Sequence, residues 1–206
     1  MRLLKKILKY YWTQNILFLF RRAKEKSIII QDLKRWQQIL SHLPQNQTPE
    51  SFLVTLFQTK PEFRNVFYFR LRKDPIRNHF IYALTHRYLY PPKEDLVISV
   101  SKDIGPGFFI QHGRSSGISV QEIGVNCWIN QHVSIGHKMP NQLPPVLGNN
   151  VRVTSGAKIY GQIVIGDNAI IGANAVVLKN VPPNCTVAGV PAKIVKRDGF
   201  RVDEPL

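Results

Sequence analysis

Aliphatic residues recur every six positions at Leu147, Val153, Ile159, Ile165, Ile171 and Val177, without a slip. A second set, Val151, Ala157, Ile163, Ala169, Ala175 and Val181, keeps the same step. Two inward side chains separated by one outward residue make a short strand, because successive Cβ atoms of a strand point to opposite faces. Between the strands lie Gly148-Asn149-Asn150, Gly166-Asp167-Asn168 and Gly172-Ala173-Asn174. Gly and Asn enter positive φ at the lowest steric cost, so these triplets read as corners. A helix would scatter residues spaced by six around its surface. Strand and corner repeating at a short fixed period instead wind the chain into a β-solenoid with stacked aliphatic rungs inside.

The pattern starts near Leu96. Ile98, Ile104 and Ile110 are in step, as are Ile123, Ile129 and Ile135. From Ile110 to Ile123 is 13 residues rather than 12, so the corner Gln111-His-Gly-Arg-Ser-Ser-Gly takes in one extra residue. Ile135 to Leu147 is 12, yet Gly136 to Pro145 lacks its aliphatic, so a loop leaves the solenoid there and returns in register. In a regular scaffold, chemistry concentrates where regularity breaks.

Residues 1–93 read differently. Leu4, Ile7, Leu8 and Tyr11 stand at helical spacing, followed by Ile16 to Phe20. Further helices are expected from Ser27, from the capping residues Thr48 or Ser51, from Pro61, and from Asp74-Pro75 through Tyr90. Pro91-Pro92 ends them. The expected organisation is a helical module, 1–93, a β-solenoid of about five coils, 94–196, and a mobile polar tail, 197–206. Residues 1–93 hold 18 Lys/Arg against 5 Asp/Glu, and residues 94–206 hold 10 against 8. The net charge of +15 therefore belongs to the helical half and points to an anionic partner there. With Lys5, Lys6, Lys9, Arg21 and Arg22 beside apolar residues, the segment suits either peripheral contact with a membrane surface or packing of its apolar stripe on neighbouring helices or another subunit. No nucleic-acid motif accompanies the charge. No apolar run approaches the roughly 20 residues that cross a bilayer, and no signal peptide is evident. Cys127 and Cys185, without spacing motif, suggest a reduced, cytoplasmic chain lacking a disulfide framework or zinc site. His79 and His86 read as surface or packing residues, and His132 as structural.

Leu147-Gly-Asn-Asn-Val through Ala188-Gly-Val-Pro-Ala-Lys-Ile-Val resembles the hexapeptide-repeat acyltransferases, and Gly107-Phe-Phe-Ile-Gln-His-Gly-Arg-Ser-Ser-Gly-Ile is similar to the catalytic-histidine segment of serine O-acetyltransferases. Pro61 to Arg72 more weakly resembles serine-acetyltransferase-like proteins of surface-polysaccharide synthesis. The resemblance implies a left-handed parallel β-helix with three strands per coil. It further implies a homotrimer, pairing of trimers through the helical module, and acetyl-CoA and acceptor in a groove between subunits, with no metal. It gives His112 the role of general base, since an alcohol needs its proton removed and neutral imidazole does this near pH 7. His137, similar to the loop histidine of sugar and antibiotic acetyltransferases, is the rival. The Asn130 amide or a backbone N–H between Gly113 and Gly117 would stabilise the oxyanion. Ser155, Gly156, Ala157, Gly172 and Ala173 would border the pantetheine arm, with Lys179 and Lys193 among the candidates for the phosphates (Lys158, Lys196 and Arg197 are others).

Gln111, Arg114 and Asp95 would face the acceptor, and here the chain departs from the family. Gln111 stands where the family has Asp, Val97 where it has the Asp supporting the histidine, and Leu143-Pro144 where it has an Arg-His pair. Without a cationic clamp for a carboxylate, the expected acceptor is a sugar hydroxyl in surface-polysaccharide synthesis, at the inner face of the membrane. Serine is the alternative acceptor, and a non-catalytic scaffold is the alternative of a different class. A C-terminus Asp-Glu-Pro-Leu, rather than one ending in Ile, argues against docking the next enzyme of cysteine synthesis.

Overall fold

A computed structural model describes residues 2–206, with side chains from residue 10 onward. The stripe Leu4, Ile7 and Leu8 and the lysines Lys5, Lys6 and Lys9 lie outside the described side chains. The chain forms two compact units, Met1–Lys93 and Glu94–Leu206.

The first unit is built of α1 (Arg2–Arg22), α2 (Lys26–Ile39), α3 (Pro49–Thr59), α4 (Pro61–Arg70) and the short α5 (Phe80–Leu84). Thr48 caps α3, its Oγ1 accepting from the Ser51 N–H at 3.2 Å. Trp36, Phe57, Phe63 and Phe67 pack edge to face in the core, with centroids 5.0 Å apart for Trp36–Phe63 and for Phe57–Phe67. Arg70 donates twice to Asp32, at 2.9 and 3.1 Å, and pins α4 to α2 from inside. The continuous helix expected from Asp74 to Tyr90 is broken into a 3₁₀ turn (Pro75–Asn78), α5 and a π turn (Thr85–Leu89). Asp74 caps the 3₁₀ turn, its carboxylate accepting from the Ile76 N–H and also from the distant Lys24 N–H. The break comes at a short-range competitor. His79 leaves the helical region, at φ −81° and ψ 137°, and its Nδ1 accepts from the Ile81 N–H to start the next helix.

The second unit is a left-handed parallel β-helix of about five coils. Its first face stacks Leu96–Val100, Ser116–Val120, Ser134–Gly136, Lys158–Tyr160 and Val176–Val177. The second stacks Glu122–Ile123, Val146–Leu147 and Val164–Ile165. The third begins with Phe109–Ile110, Trp128–Ile129, Arg152–Val153, Ile170–Ile171 and Cys185–Ala188. Ile118, Ile135, Ile159 and Val177 form one inner rung column, and Ile110, Ile129, Val153, Ile171 and Val187 another. These side chains are buried, and each contributes about 1.5–3 kcal/mol by leaving water. The expected mobile tail is corrected. Lys193–Arg197 runs back antiparallel to Cys185–Ala188, and Phe200–Pro205 pairs with it in turn. Arg197 clasps Glu204 across the hairpin. Unpaired backbone at the end of a sheet recruits a strand, and the polar composition of 197–206 is that of an exposed edge.

The corner between the second and third faces repeats tightly. Asn126, Asn150, Asn168 and Asn184 all take positive φ, between 56° and 59°. Asn150 donates to Asn168 and Asn168 to Asn184, at 3.0 and 2.8 Å. Beside them Asp167 accepts from the backbone and side-chain N–H groups of Asn149, which hold its carboxyl below the usual range. A carboxyl whose pKa is lower folded than unfolded adds stability above the unfolded value, and loses it as pH falls through the folded one. We therefore expect Asp167→Asn to lower the thermal midpoint at neutral pH, with the deficit closing in acid when both are melted across the carboxylate range.

Candidate active site

The register slip sits at the corner between the third and first faces. In the regular coils one residue of this corner takes positive φ, three positions after the inward aliphatic: His132 after Ile129, Gly156 after Val153, Asn174 after Ile171. In the slipped coil three do so, His112 at 67°, Gly113 at 56° and Ser115 at 46°. Pairing of Ile110 with Ile129 and of Ile118 with Ile135 gives this corner two residues more than the next coil, one of which is recovered between Ile118 and Ile123. Within it Gly113 N–H reaches back to the Gln111 carbonyl at 2.8 Å. His112 is thereby exposed on the outside of the prism. The turn is fastened by Asp95, whose Oδ2 accepts from Ser115 N–H at 3.1 Å and whose carbonyl accepts from Ser116 N–H at 2.9 Å. The carboxylate expected to face an acceptor thus holds the histidine's turn, while Val97 is exposed on the first face. The side chain of Arg114 is exposed, and its carbonyl accepts from His132 N–H.

Pairing of Ile110, Ile129, Val153 and Ile171 stacks the same corner of successive coils. His112 therefore stands in line with Gln131, Ser155 and Ala173, and Gln111 with Asn130, Thr154 and Gly172. At the spacing of neighbouring strands, His112 and Ala173 are roughly 14 Å apart along this edge. Asn130 Nδ2 approaches Gln111 Oε1 at 3.4 Å and Ser155 Oγ at 3.5 Å, linking three coils by weak contacts. Asn130 Oδ1, Gln131 Oε1 and Trp128 Nε1 are buried with no partner among the described residues. Three such atoms within four residues leave hydrogen-bonding capacity unused along this edge. Sequence reading missed Trp128 and Gln131. No motif singles them out, because their place beside Asn130 on the stacked edge follows from strand register.

The remaining candidates divide. Ser155 is half-buried and Ala173 exposed on the edge. Ala157 is corrected: it lies inside the prism at 0% exposure, with its carbonyl taken by Ser134 N–H, so it has nothing to offer a ligand. Gly156 is explained by packing, since a Cβ there would stand 1.9 Å from Asn174 Oδ1. Gly172 likewise faces the Val187 carbonyl at 2.9 Å. Lys179 Nζ donates to the Leu206 carbonyl at 2.6 Å and Lys193 lies 3.8 Å from Asp203, so both are engaged by the terminal strand and the residue after it. His137 occupies a different corner, at the mouth of the extruded loop, with Nδ1 2.6 Å from the Gln142 carbonyl. Within one chain His112 and His137 border different corners of the prism. His86 stacks on Tyr82, and Lys158 Nζ donates to the His132 carbonyl. Desolvation pushes the Cys127 thiol up to about 12, removing it as a nucleophile. Among the described residues no group of three His, Cys, Asp or Glu is placed to hold a metal ion.

Residues 144–179 match the family model "Bacterial transferase hexapeptide (six repeats)". The chain is 45% identical over 105 residues to serine acetyltransferase of Synechococcus elongatus, covering 48% of this chain and 42% of the relative. It is 45% identical over 104 residues to serine acetyltransferase of Staphylococcus aureus, covering 48% of each. The chain spans about half the length of the curated relatives it matches. Among solved structures, serine acetyltransferase from Brucella abortus superposes with a TM-score of 0.58 at 25% identity, covering 87% of this chain and 72% of that one. A serine acetyltransferase in complex with CoA shares the fold, with a TM-score of 0.58 at 22% identity and coverage of 91% and 83%.

Proposed function

We propose that the protein is an acetyl-CoA-dependent O-acetyltransferase that acetylates the hydroxyl of serine. The observation that carries this reading is His112, turned outward by the register slip at one end of an edge whose next coils offer Asn130, Gln131, Ser155 and Ala173. The curated relatives reported above are named for serine, and this favours serine over the sugar acceptor expected from the sequence.

In this reading His112 accepts the proton of the acceptor hydroxyl as its oxygen attacks the thioester carbonyl carbon. The side-chain N–H groups of Asn130, one position from the register line of His112, donate to the oxyanion. The tetrahedral intermediate collapses by breaking the carbon–sulfur bond, and the departing thiolate takes the proton from the His112 imidazolium, leaving O-acetyl ester and free CoA. An exposed edge gives a reactive ester no shelter from water. A neighbouring copy in a homotrimer would supply the missing wall and bring a loop carrying His137 toward His112.

A second reading, an acceptor without a carboxylate, is favoured by the extruded loop, where Met139 and Leu143 are exposed and Lys138 is the sole Lys or Arg. Release of CoA measured against L-serine and a panel of sugars separates the two. Saturable release with serine supports the proposal, and release with a sugar alone transfers it to the second reading. Release with neither, together with no acetyl-CoA binding by calorimetry, would leave a scaffold.

A further inference from the structure

Phe80, Ala83 and Leu84 share one face of α5, and Arg87 and Tyr88 follow on the π turn. A largely apolar stripe normally faces a core. Here all five residues are exposed, Phe80 to 71% and Tyr88 to 69%, while Tyr82 and Thr85 meet the core instead. α1 packs beside this segment and exposes Tyr10 and Tyr11, to 62% and 63%. Between α1 and the Asp74–His79 turn that precedes this segment, a cleft of about 500 Å³ is lined by Phe18, Arg22, Lys24, Asp74, Asn78 and His79, together with the two residues after Asp74. The Arg22 guanidinium lies 5.2 Å over the Phe18 ring. Asp74, the cleft's one carboxylate, is consumed by the N–H groups of Lys24 and Ile76. Neither residues 1–24 nor residues 75–93 contain a single Asp or Glu, yet they include Arg2, Lys5, Lys6, Lys9, Arg21, Arg22 and Lys24, and Arg77, Arg87 and Lys93.

We infer that this face of the helical unit docks on an anionic lipid surface. Phe80, Leu84, Tyr88, Tyr10 and Tyr11 enter the headgroup layer, and Arg22 and Lys24 receive a lipid phosphate in the cleft at Phe18. Aromatic rings settle at the boundary between hydrocarbon and water, and arginine matches phosphate geometry. No helix among the described residues is long and apolar enough to cross a membrane, so the contact lies on the surface. A second copy of the same face is the poorer occupant, since two surfaces so uniformly basic repel. The inference is independent of acetyl transfer.

The test is co-sedimentation of the full chain with vesicles of phosphatidylcholine alone and of phosphatidylcholine with phosphatidylglycerol. Binding is expected only to the anionic vesicles and to weaken steeply with salt. The double variants Phe80→Glu/Tyr88→Glu and Arg22→Glu/Lys24→Glu should each lose about tenfold or more of that binding. Val164→Glu, an exposed apolar site on the β-helix, should lose none. Circular dichroism and the thermal midpoint must match wild type, and single substitutions replace any double variant that fails. Equal binding to both vesicle types overturns the inference, as does none. A fall in particle mass for Phe80→Glu/Tyr88→Glu by light scattering, with vesicle binding unchanged, would identify a second copy as the occupant. Saturable binding of soluble glycerol phosphate without vesicle binding would identify a free phosphate ester.

Discussion

His112→Asn is expected to lower kcat for acetyl transfer by about 10²–10⁴-fold, the range that a positioned general base contributes. Asn is the informative substitution because it tolerates positive φ, so the turn at 67° and its clasp by Asp95 survive while the proton acceptor disappears. KM for acetyl-CoA should hold, since the cofactor candidates Ser155 and Ala173 lie on later coils of the edge. His137→Ala tests the rival. Its Nδ1 is occupied by the Gln142 carbonyl, so its loss should loosen the loop and raise KM for the acceptor more than it lowers kcat. A kcat collapse with His137→Ala and none with His112→Asn would exchange the two roles. Thermal midpoints separate either result from unfolding.

The largest effect on stability is expected from one methyl group. A Cβ at Gly124 would lie 2.5 Å from the Gly148 carbonyl oxygen and 2.6 Å from its carbon, both backbone atoms of the next coil. No rotamer relieves that contact, so the coils must separate, and Gly124→Ala should cost about 1–3 kcal/mol or more. Gly117→Ala is the control, because nothing lies within 4 Å of its Cβ and its φ is ordinary. Urea unfolding of both variants decides it. Equal midpoints would mean that the corner is looser than its geometry states.

The solenoid was legible because its cause is local. Each coil needs an aliphatic at a fixed step and a residue that accepts positive φ, and the chain writes both in order from Leu147 to Val181. The slip between Ile110 and Ile123 was equally plain, since an inserted residue shifts every later aliphatic. What escaped was set by competition between neighbours. His79 offered a hydrogen bond that divided a helix the periodicity would have run through. Residues 200–205 looked like a tail because a strand on an exposed edge needs no apolar pattern. Ala157 was legible as an inward residue from its period, and its burial leaves Ser155 and Ala173 open on that edge.

By itself, the sequence determined the coil, its two irregular places and the histidine in the first of them, because side-chain period and backbone sterics act within a few residues. Only the tertiary structure decided which corner each irregular place occupies. Stacking brings Gln111, Asn130 and Ser155 together from three coils, and that register arises from strand pairing between residues 19 and 24 positions apart. It likewise decided that Phe80, Leu84 and Tyr88 face water, since a stripe's outlook depends on what packs behind it.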